Sequence, residues 1–468
     1  MAEGISMGTY RPARINGVHS VCSIYFRHQT SFANSHRTFT CIGVVPVANR
    51  IAYDLNNGHV DKSASVLLVT IWELGEAVGP FLLAPLSEMY GRYPVFNVAN
   101  LLFIAATILA ALSRSTSLFI VARALTGFAV ASNVLNPAIV ADILPSDERG
   151  MAMSLIMLAP LTGGAVGPAI AGAIVESSGW RNVLWTSAAL AGACELAFLV
   201  CFRETYKVTI LRRKAARLRE ETGNPLLTTA FDAEGEQDAT KKFWESIMRP
   251  TTVFFDSGVL QPCSLFASVA FAYFYNMSTT LPDILEEIYG LTPASTGTAF
   301  MAFSAGSAIA CVGCNLFLDR IYIKLRDLHK GVGQPEYRLP LVIVGALTMP
   351  LTVILYGWSA AVHWPLWVML MIVGWMGATL MLAFVPWFVY LADAYGVYSA
   401  SANTGLIVTR CLMGTFMPLA AQPLIRRFGY GYGFTMLGGI SLVLAPIPML
   451  VMRYGWKWRQ RSKYTRDS

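Results

Sequence analysis

Charge is scarce in this chain. Only 13% of its 468 residues are Asp, Glu, Lys or Arg, against roughly a quarter in soluble domains. That shortage excludes the two or three water-soluble domains that length alone would suggest. Strand-period alternation is missing too, which excludes a membrane barrel, whose strands must alternate lipid-facing and lumen-facing residues. Histidine is rare, six in all, and the eight cysteines are scattered. Cys311 and Cys314 form a lone CxxC without a second pair or a His cluster, so the cysteines read as small buried hydrophobes. No metal and no cofactor is expected. Nucleophile constellations and phosphate-cradling loops are absent as well, and the chain is not expected to be an enzyme. No signal peptide is expected near the start, where "VCSIYF" is too short for an apolar signal core.

What the chain has is apolar length. Hydrophobic residues make up 55% of it, and many runs reach the roughly 20 residues that carry a helix across a bilayer. Spans are expected at about 66–87, 94–112, 117–142, 151–175, 182–202, 256–280, 294–318, 340–360, 365–391, 398–424 and 432–452. A twelfth candidate, 32–49, is poorly apolar and is interrupted by His36 and Arg37. Counting it as the first span puts most of the 35 Lys and Arg on one side of the membrane, the cytoplasmic bias of basic residues. Omitting it strands the basic N-terminal tail on the opposite side. The +7 net charge is therefore read as topology, and no nucleic-acid partner is expected. The expected organisation is a cytoplasmic tail (1–38), a six-helix bundle (39–202), a cytoplasmic loop (203–250), a second six-helix bundle (251–452) and a basic tail (453–468). Within the loop, "ILRRKAARLREETGNP" predicts a surface amphipathic helix stopped by Gly223 and Pro225.

The two bundles look like parallel repeats. "VADI" (Val140 to Ile143) ends the fourth span and "LADA" (Leu391 to Ala394) the tenth; Pro168 and Pro418 follow at nearly equal distances. "LSEMYGR" after the second span corresponds to "FLDRIY" after the eighth. Parallel six-helix halves are a transporter architecture with the cargo site near mid-membrane between them. The fold expected is an all-α integral membrane protein with a short or degenerate first helix.

Two carboxylates, Glu73 and Glu76, stand inside the apolar second span. Three residues apart, they share a helix face. Intramembrane acids are costly and face the bundle interior or a wet cavity, and an acid whose surroundings alternate can take up and release a proton. A structural role is the alternative, with either acid paired to Arg123 or another buried group. Arg123 in the fourth span and Arg410 in the eleventh cannot shed their charge, so each needs an anion or carbonyls. Arg410 either braces helices or meets an acidic cargo group. Asn133, Asn136, Tyr273, Tyr275, Asn276, Trp387 and Tyr390 are further inward-facing candidates for a mostly apolar cargo cavity, although such aromatics equally suit a core or an interfacial belt.

"APLSEMYGR", "RALTGFAVASN" (Arg123 to Asn133), "TGGAVGPAIAG" (Thr162 to Gly172), "FRETY", "PEYRLP" and "YLADAYGVYSASA" together resemble the major facilitator superfamily, in particular its fungal drug:proton antiporter branch. The likeness runs from about residue 41 to 458. Departures are Ala84, Glu88 and Met89 in the first motif, and Ser154 and Ala171 in the helix-five motif. The resemblance implies a two-bundle fold that alternates access. It implies a gating role for Glu88, Gly91 and Arg92, and for Asp319 and Arg320 in the second half. Gly163, Gly164, Gly167, Pro168 and Gly172 would form a dense, bending antiporter seam, and Arg123 would tune the coupling acid. The expected activity is proton-coupled export of a small amphiphilic compound such as a secondary metabolite, toxin or drug. A polyamine or nutrient carrier is the alternative within transport, and a transport-inactive scaffold or sensor is the alternative outside it. Expected partners are the bilayer, protons and the cargo. The chain is expected to act as a monomer, multi-pass in the cell membrane or in a vacuolar or vesicular membrane.

Overall fold

The computed structural model describes residues 37–465 except 57, 60–61, 131–134, 137–138, 140–141, 144–145, 225–226, 230–238, 330–332 and 463–464. Every regular element among the described residues is helical. The first half comprises α1 (Ala48–Leu55), α2 (Lys62–Tyr90), α3 (Arg92–Ala111), α4 (Thr116–Phe128), α5 (Ser146–Ser178) and α6 (Trp180–Cys201). Two helices of the central loop follow, α7 (Lys207–Thr222) and α8 (Ala239–Asp256). The second half comprises α9 (Leu260–Glu287), α10 (Pro293–Leu328), α11 (Pro340–Ala361), α12 (Leu366–Tyr395), α13 (Ser399–Leu444) and α14 (Pro446–Arg459). Gly429, at φ 76° and ψ 172°, breaks α13 into the eleventh span and the start of the twelfth.

The segment expected as the weak first span is helical but broken. Residues 37–42 are helical, the chain turns at 43 and 44, and a 3-10 turn (Val45–Val47) leads into α1. Pro46 lies in that turn, where its missing N–H interrupts the helical ladder. The span thus runs to Leu55 rather than ending near residue 49. Arg37, which counts against insertion of this segment alone, is buried. It donates to Asn100 of α3 and lies with its guanidinium 5.3 Å from the Phe96 ring. Asn100 in turn donates to Glu195 of α6. The packed bundle therefore supplies the polar partners that lipid cannot.

Small residues set the closest helix approaches. Gly75 and Gly79 of α2 press on α4: a Cβ on Gly75 would come within 2.1 Å of the Ala124 carbonyl oxygen, and one on Gly79 within 2.6 Å of that of Phe128. Gly127 meets the Trp72 carbonyl equally closely. This fixes the rotation of α2, because turning its glycine face to α4 turns Glu73 and Glu76 toward the other half. Between the halves, α5 packs along α10 and α2 along the eleventh span. Gly172 abuts the Pro293 carbonyl and Gly297 the Pro168 carbonyl, so a side chain at either glycine would collide.

The ends carrying the basic central loop are here termed cytoplasmic and the opposite ends outer. At the outer ends the halves are tied. Lys62 pairs with Asp283 at 3.3 Å and Glu287 at 3.1 Å, and Asn49 donates to Asp283. Glu176 of α5 accepts from the Ala294 N–H at 3.0 Å, at the start of α10. Large apolar side chains such as Val200, Ile309, Met371 and Val443 point outward and exposed, which in water would be anomalous and in lipid is the expected outer belt. The loop helix α7 ends where expected: Gly223 is left-handed (φ 64°) and its N–H caps the Arg219 carbonyl. The second loop helix, α8, was not foreseen.

Candidate transport site

The acids of α2 meet groups from the opposite half. Glu73 and Glu76 are 2% and 6% exposed. Glu73 Oε1 accepts from the Tyr275 hydroxyl of α9 at 2.6 Å. Its other oxygen, Oε2, is buried without a hydrogen-bond partner among the described residues. Glu76 pairs with Arg410 of the eleventh span, Nη2 to Oε1 at 3.1 Å. The Arg410 guanidinium lies 4.6 Å from the Phe271 ring centroid, and its Nε has no hydrogen-bond partner among the described residues. Thr415 on the same helix donates to the Thr70 carbonyl, one turn from Glu73. A buried carboxylate pair, a phenol and a guanidinium therefore converge across the seam between the bundles.

Arg123 is fully within the first half. It donates to the carbonyls of Leu68 (3.3 Å), Thr40 (3.0 Å) and Cys41 (3.0 Å), and its guanidinium lies 4.8 Å from the Trp72 ring. These carbonyls belong to the broken first span and to α2. Arg123 thus ties the first, second and fourth spans, one residue from the site: the Cys41 thiol is 3.7 Å from the Tyr275 hydroxyl. Its link to Glu73 runs through Cys41 and Tyr275.

The other cavity candidates separate. Tyr275 and Arg410 reach the acids. Tyr273 instead points into the core of the second half and donates to the Leu437 carbonyl at 2.6 Å. Two helical positions differ by about 200° around the axis, so Tyr273 and Tyr275 cannot both face the seam. Trp387 and Tyr390 are likewise buried in that core, 5.7 Å apart by ring centroid. All three are buried in the second half, and Tyr273 also borders a small cavity together with Phe274, Phe303 and Met349. Asn276 donates back to Ala272 of its own helix. Asn136 is buried, and Asn133 lies outside the described residues.

On the cytoplasmic side, Arg92 opens α3 and pairs with Asp142 at 3.3 Å, donates to Ser87, and lies 4.8 Å from the Tyr206 ring. Its charge partner is Asp142, at the end of the fourth span, whereas Glu88 is exposed near the end of α2. Gly91 has φ 103°, and a Cβ there would come within 2.1 Å of Glu204 Oε2. Glu204 uses that gap to accept from the Arg92 and Tyr93 N–H groups, a carboxylate at a helix N-terminus. In the second half Arg338, just before α11, bridges Asp319 at 2.7 Å and Asp393 at 2.8 Å. Burial works against the Arg338 charge, yet these two acids hold its pKa above the ordinary guanidinium value. Arg320 is exposed beside them. Arg92–Asp142 and Arg338–Asp393 occupy corresponding places, an arginine opening the third helix of each half and an aspartate closing the fourth.

Sequence reasoning missed Asp142, Glu204, Arg338 and Asp393 as members of these clusters. The signals were present in "VADI" and "LADA", "FRETY" and "PEYRLP", but which arginine each acid meets depends on the fold. It also missed the pair Glu336–Arg459, both buried and joined by two hydrogen bonds of 2.9 and 3.1 Å. In the helix-five motif, Gly164 and Gly167 approach the first span at Ile42 and Phe39, while Pro168 and Gly172 face α10; Gly163 is buried.

Two six-helix bundles with their ionisable groups paired across the central seam define a multi-pass membrane carrier. The Major Facilitator Superfamily profile matches residues 37–418, and the chain belongs to that superfamily. It is 33% identical over 423 residues to the MFS transporter cpaT of Aspergillus oryzae, covering 90% of this chain and 84% of that one. It is 36% identical over 409 residues to the MFS transporter prlG of a fungal species (86% and 85% covered), and 32% identical over 416 residues to the efflux pump radE of Floropilus chiversii (88% and 76% covered). Its fold is similar to that of the xylose transporter XylE from E. coli in a partially occluded inward-open conformation, with TM-score 0.68, 15% identity and 93% and 98% of the two chains covered. The human organic anion transporter MFSD10 is similar at TM-score 0.62 and 17% identity, with 91% and 99% covered. The chain is a carrier of small molecules rather than an enzyme.

Proposed function

We propose that this carrier exports a small amphiphilic organic compound in exchange for protons, by alternating access between its two bundles. The observation that carries this reading is the seam cluster. Glu73 and Glu76 are the acids of one half, and their partners Tyr275 and Arg410 belong to the other. Any rocking of the bundles that opens the seam at this depth parts those pairs and changes the solvation of both carboxylates, which is the physical requirement for coupling proton uptake to conformation. Export is supported by relatives named as efflux pumps and fungal MFS-type transporters. The Arg92–Asp142 and Arg338–Asp393–Asp319 clusters are proposed as cytoplasmic latches, with Gly91 and Glu204 shaping the first, and Glu88 of α2 and Arg320 of α10 as exposed charges near them. The seam of Gly163, Gly164, Gly167, Pro168 and Gly172 is proposed as the bearing on which α5 moves against α10. Arg123 is proposed to hold the broken first span against the site.

The test is transport in proteoliposomes under an imposed pH gradient, with Glu73→Gln and Glu76→Gln studied separately. The expected outcome is loss of gradient-driven transport, about tenfold or more, in at least one variant while exchange without a gradient persists. Full coupling retained in both variants would overturn the proton role.

A further inference from the structure

Glu73 already holds a ligand of a particular kind. The group on its Oε1 is a phenol, the Tyr275 hydroxyl at 2.6 Å, supplied by the other half of the molecule. That bond has to break whenever the halves part at this level, which leaves Oε1 in need of another donor. An aromatic run continues from the Tyr275 ring. Phe274 is 5.2 Å and Phe271 is 5.5 Å from it by ring centroid, and Phe384 is 5.9 Å from Phe271. Opposite this run, Gly414 has no side chain; a Cβ there would already touch Tyr275, Glu73 and Phe271 at 3.4 to 3.6 Å. With Tyr275 withdrawn, this place would offer a carboxylate at the edge of an aromatic run.

The neighbouring charges narrow the class. Arg410 is engaged by Glu76. An anionic guest would have to displace that carboxylate and then share one cation with two acids. A cationic guest on the aromatic run would meet Arg410, whose guanidinium already lies over Phe271. An uncharged hydroxyl donor meets neither penalty. Its hydrogen bond to an ionised acceptor is among the stronger kinds.

We propose that Tyr275 is an internal stand-in for the cargo. The site takes a planar, uncharged aromatic compound with a phenolic or enolic hydroxyl, which replaces Tyr275 on the Glu73 carboxylate and lies along Phe271, Phe274 and Phe384. This rests on the proton-exchanging role of Glu73 proposed above. Guest hydroxyl and proton then compete for one carboxylate, so binding of one expels the other. The groups facing Glu73 are Tyr275 from the seventh span, Cys41 from the first, Glu76 on its own helix, and Arg410 and Cys411 from the eleventh.

The experiment is equilibrium binding to the full-length protein in lipid nanodiscs, using 2-naphthol, 2-methoxynaphthalene and 2-naphthoate as probes. 2-Naphthol is expected to bind about tenfold or more tightly than its methyl ether, and more tightly than the naphthoate. Tyr275→Phe, which removes the internal competitor, should tighten naphthol binding severalfold and leave the ether unchanged. Glu73→Gln should lower naphthol to the level of the ether. Lowering the pH should weaken naphthol binding in the native protein and not in Glu73→Gln. Equal binding of naphthol and its ether, preference for the naphthoate, or a Tyr275→Phe protein that binds naphthol no better would each overturn the proposal. The comparison of the three probes needs no variant, so it stands if Tyr275→Phe does not fold. Loss of pH-gradient coupling in proteoliposomes with phenol selectivity intact, or the reverse, separates failure of the proton role from failure of this one.

Discussion

A single hydrogen atom decides the conformation at Gly91. Its φ of 103° is one that L side chains rarely adopt, and Glu204 fills the space a Cβ would need. Gly91→Ala therefore acts twice, straining the backbone and expelling the carboxylate that receives the first N–H groups of α3. A destabilisation of about 1–3 kcal/mol is expected, read as a lowered thermal midpoint of the detergent-solubilised protein, with Gly429→Ala as the control. Gly429 has a similar φ of 76°, but nothing lies within 4 Å of where its Cβ would sit, so it should suffer the strain alone. Residue identity made part of this legible. Glu73 and Glu76 stood out because carboxylates in an apolar helix need an explanation, and the structure joins both to the opposite half. For Tyr273, Trp387 and Tyr390, all buried in the second half, residue type says nothing about rotation. The faces of α9 and α12 are set by packing between helices, and apolar residues occur all round both.

At the scale of elements, the first span shows how a poor helix is accommodated. Arg37 is buried beside Asn100 and Glu195, from α3 and α6. The two ends of this link are not equivalent. A stranded glutamate can protonate, whereas a stranded arginine cannot. Glu195→Ala is thus expected to cost about 1–3 kcal/mol, the range for leaving a buried polar group without its partner, and Arg37→Met clearly less. Comparing folded yield and thermal midpoint of the two variants checks this; equal losses would mean that Arg37 is held by its cation–ring contact with Phe96 instead. The sequence pattern placed most spans within a few residues, because an apolar run of sufficient length has few other uses. It placed the first span poorly because the polar partners of Arg37 come from other helices. The central-loop helix α8 was missed because its pattern is short and mixed with charge.

For the whole molecule, the repeat seen in "VADI" and "LADA" recurs as an arrangement of charges. The arginines differ in their surroundings, however. Each lies over a tyrosine ring, but among the described residues Arg92 pairs with one carboxylate and Arg338 with two. The second half also carries the buried Glu336–Arg459 clasp, which fastens the last helix to the turn before α11. Pseudo-symmetry in the chain thus predicts where the charged clusters lie, but not how firmly each is held.

The outer closure has a further consequence. Lys62 is about a third exposed and Glu287 more than half, so water and ions reach the tie between the first and second halves there. Contacts of that sort weaken as ions shorten the reach of charge, to about 8 Å at physiological strength. The paired acids at the centre of the seam are sheltered from it. Dissolved salt on the outer side should therefore shift how long the carrier stays shut to the exterior and leave what it chooses to carry unchanged. Single-molecule dwell times in rising salt are expected to shorten for the shut state, with the order of preference among guests preserved.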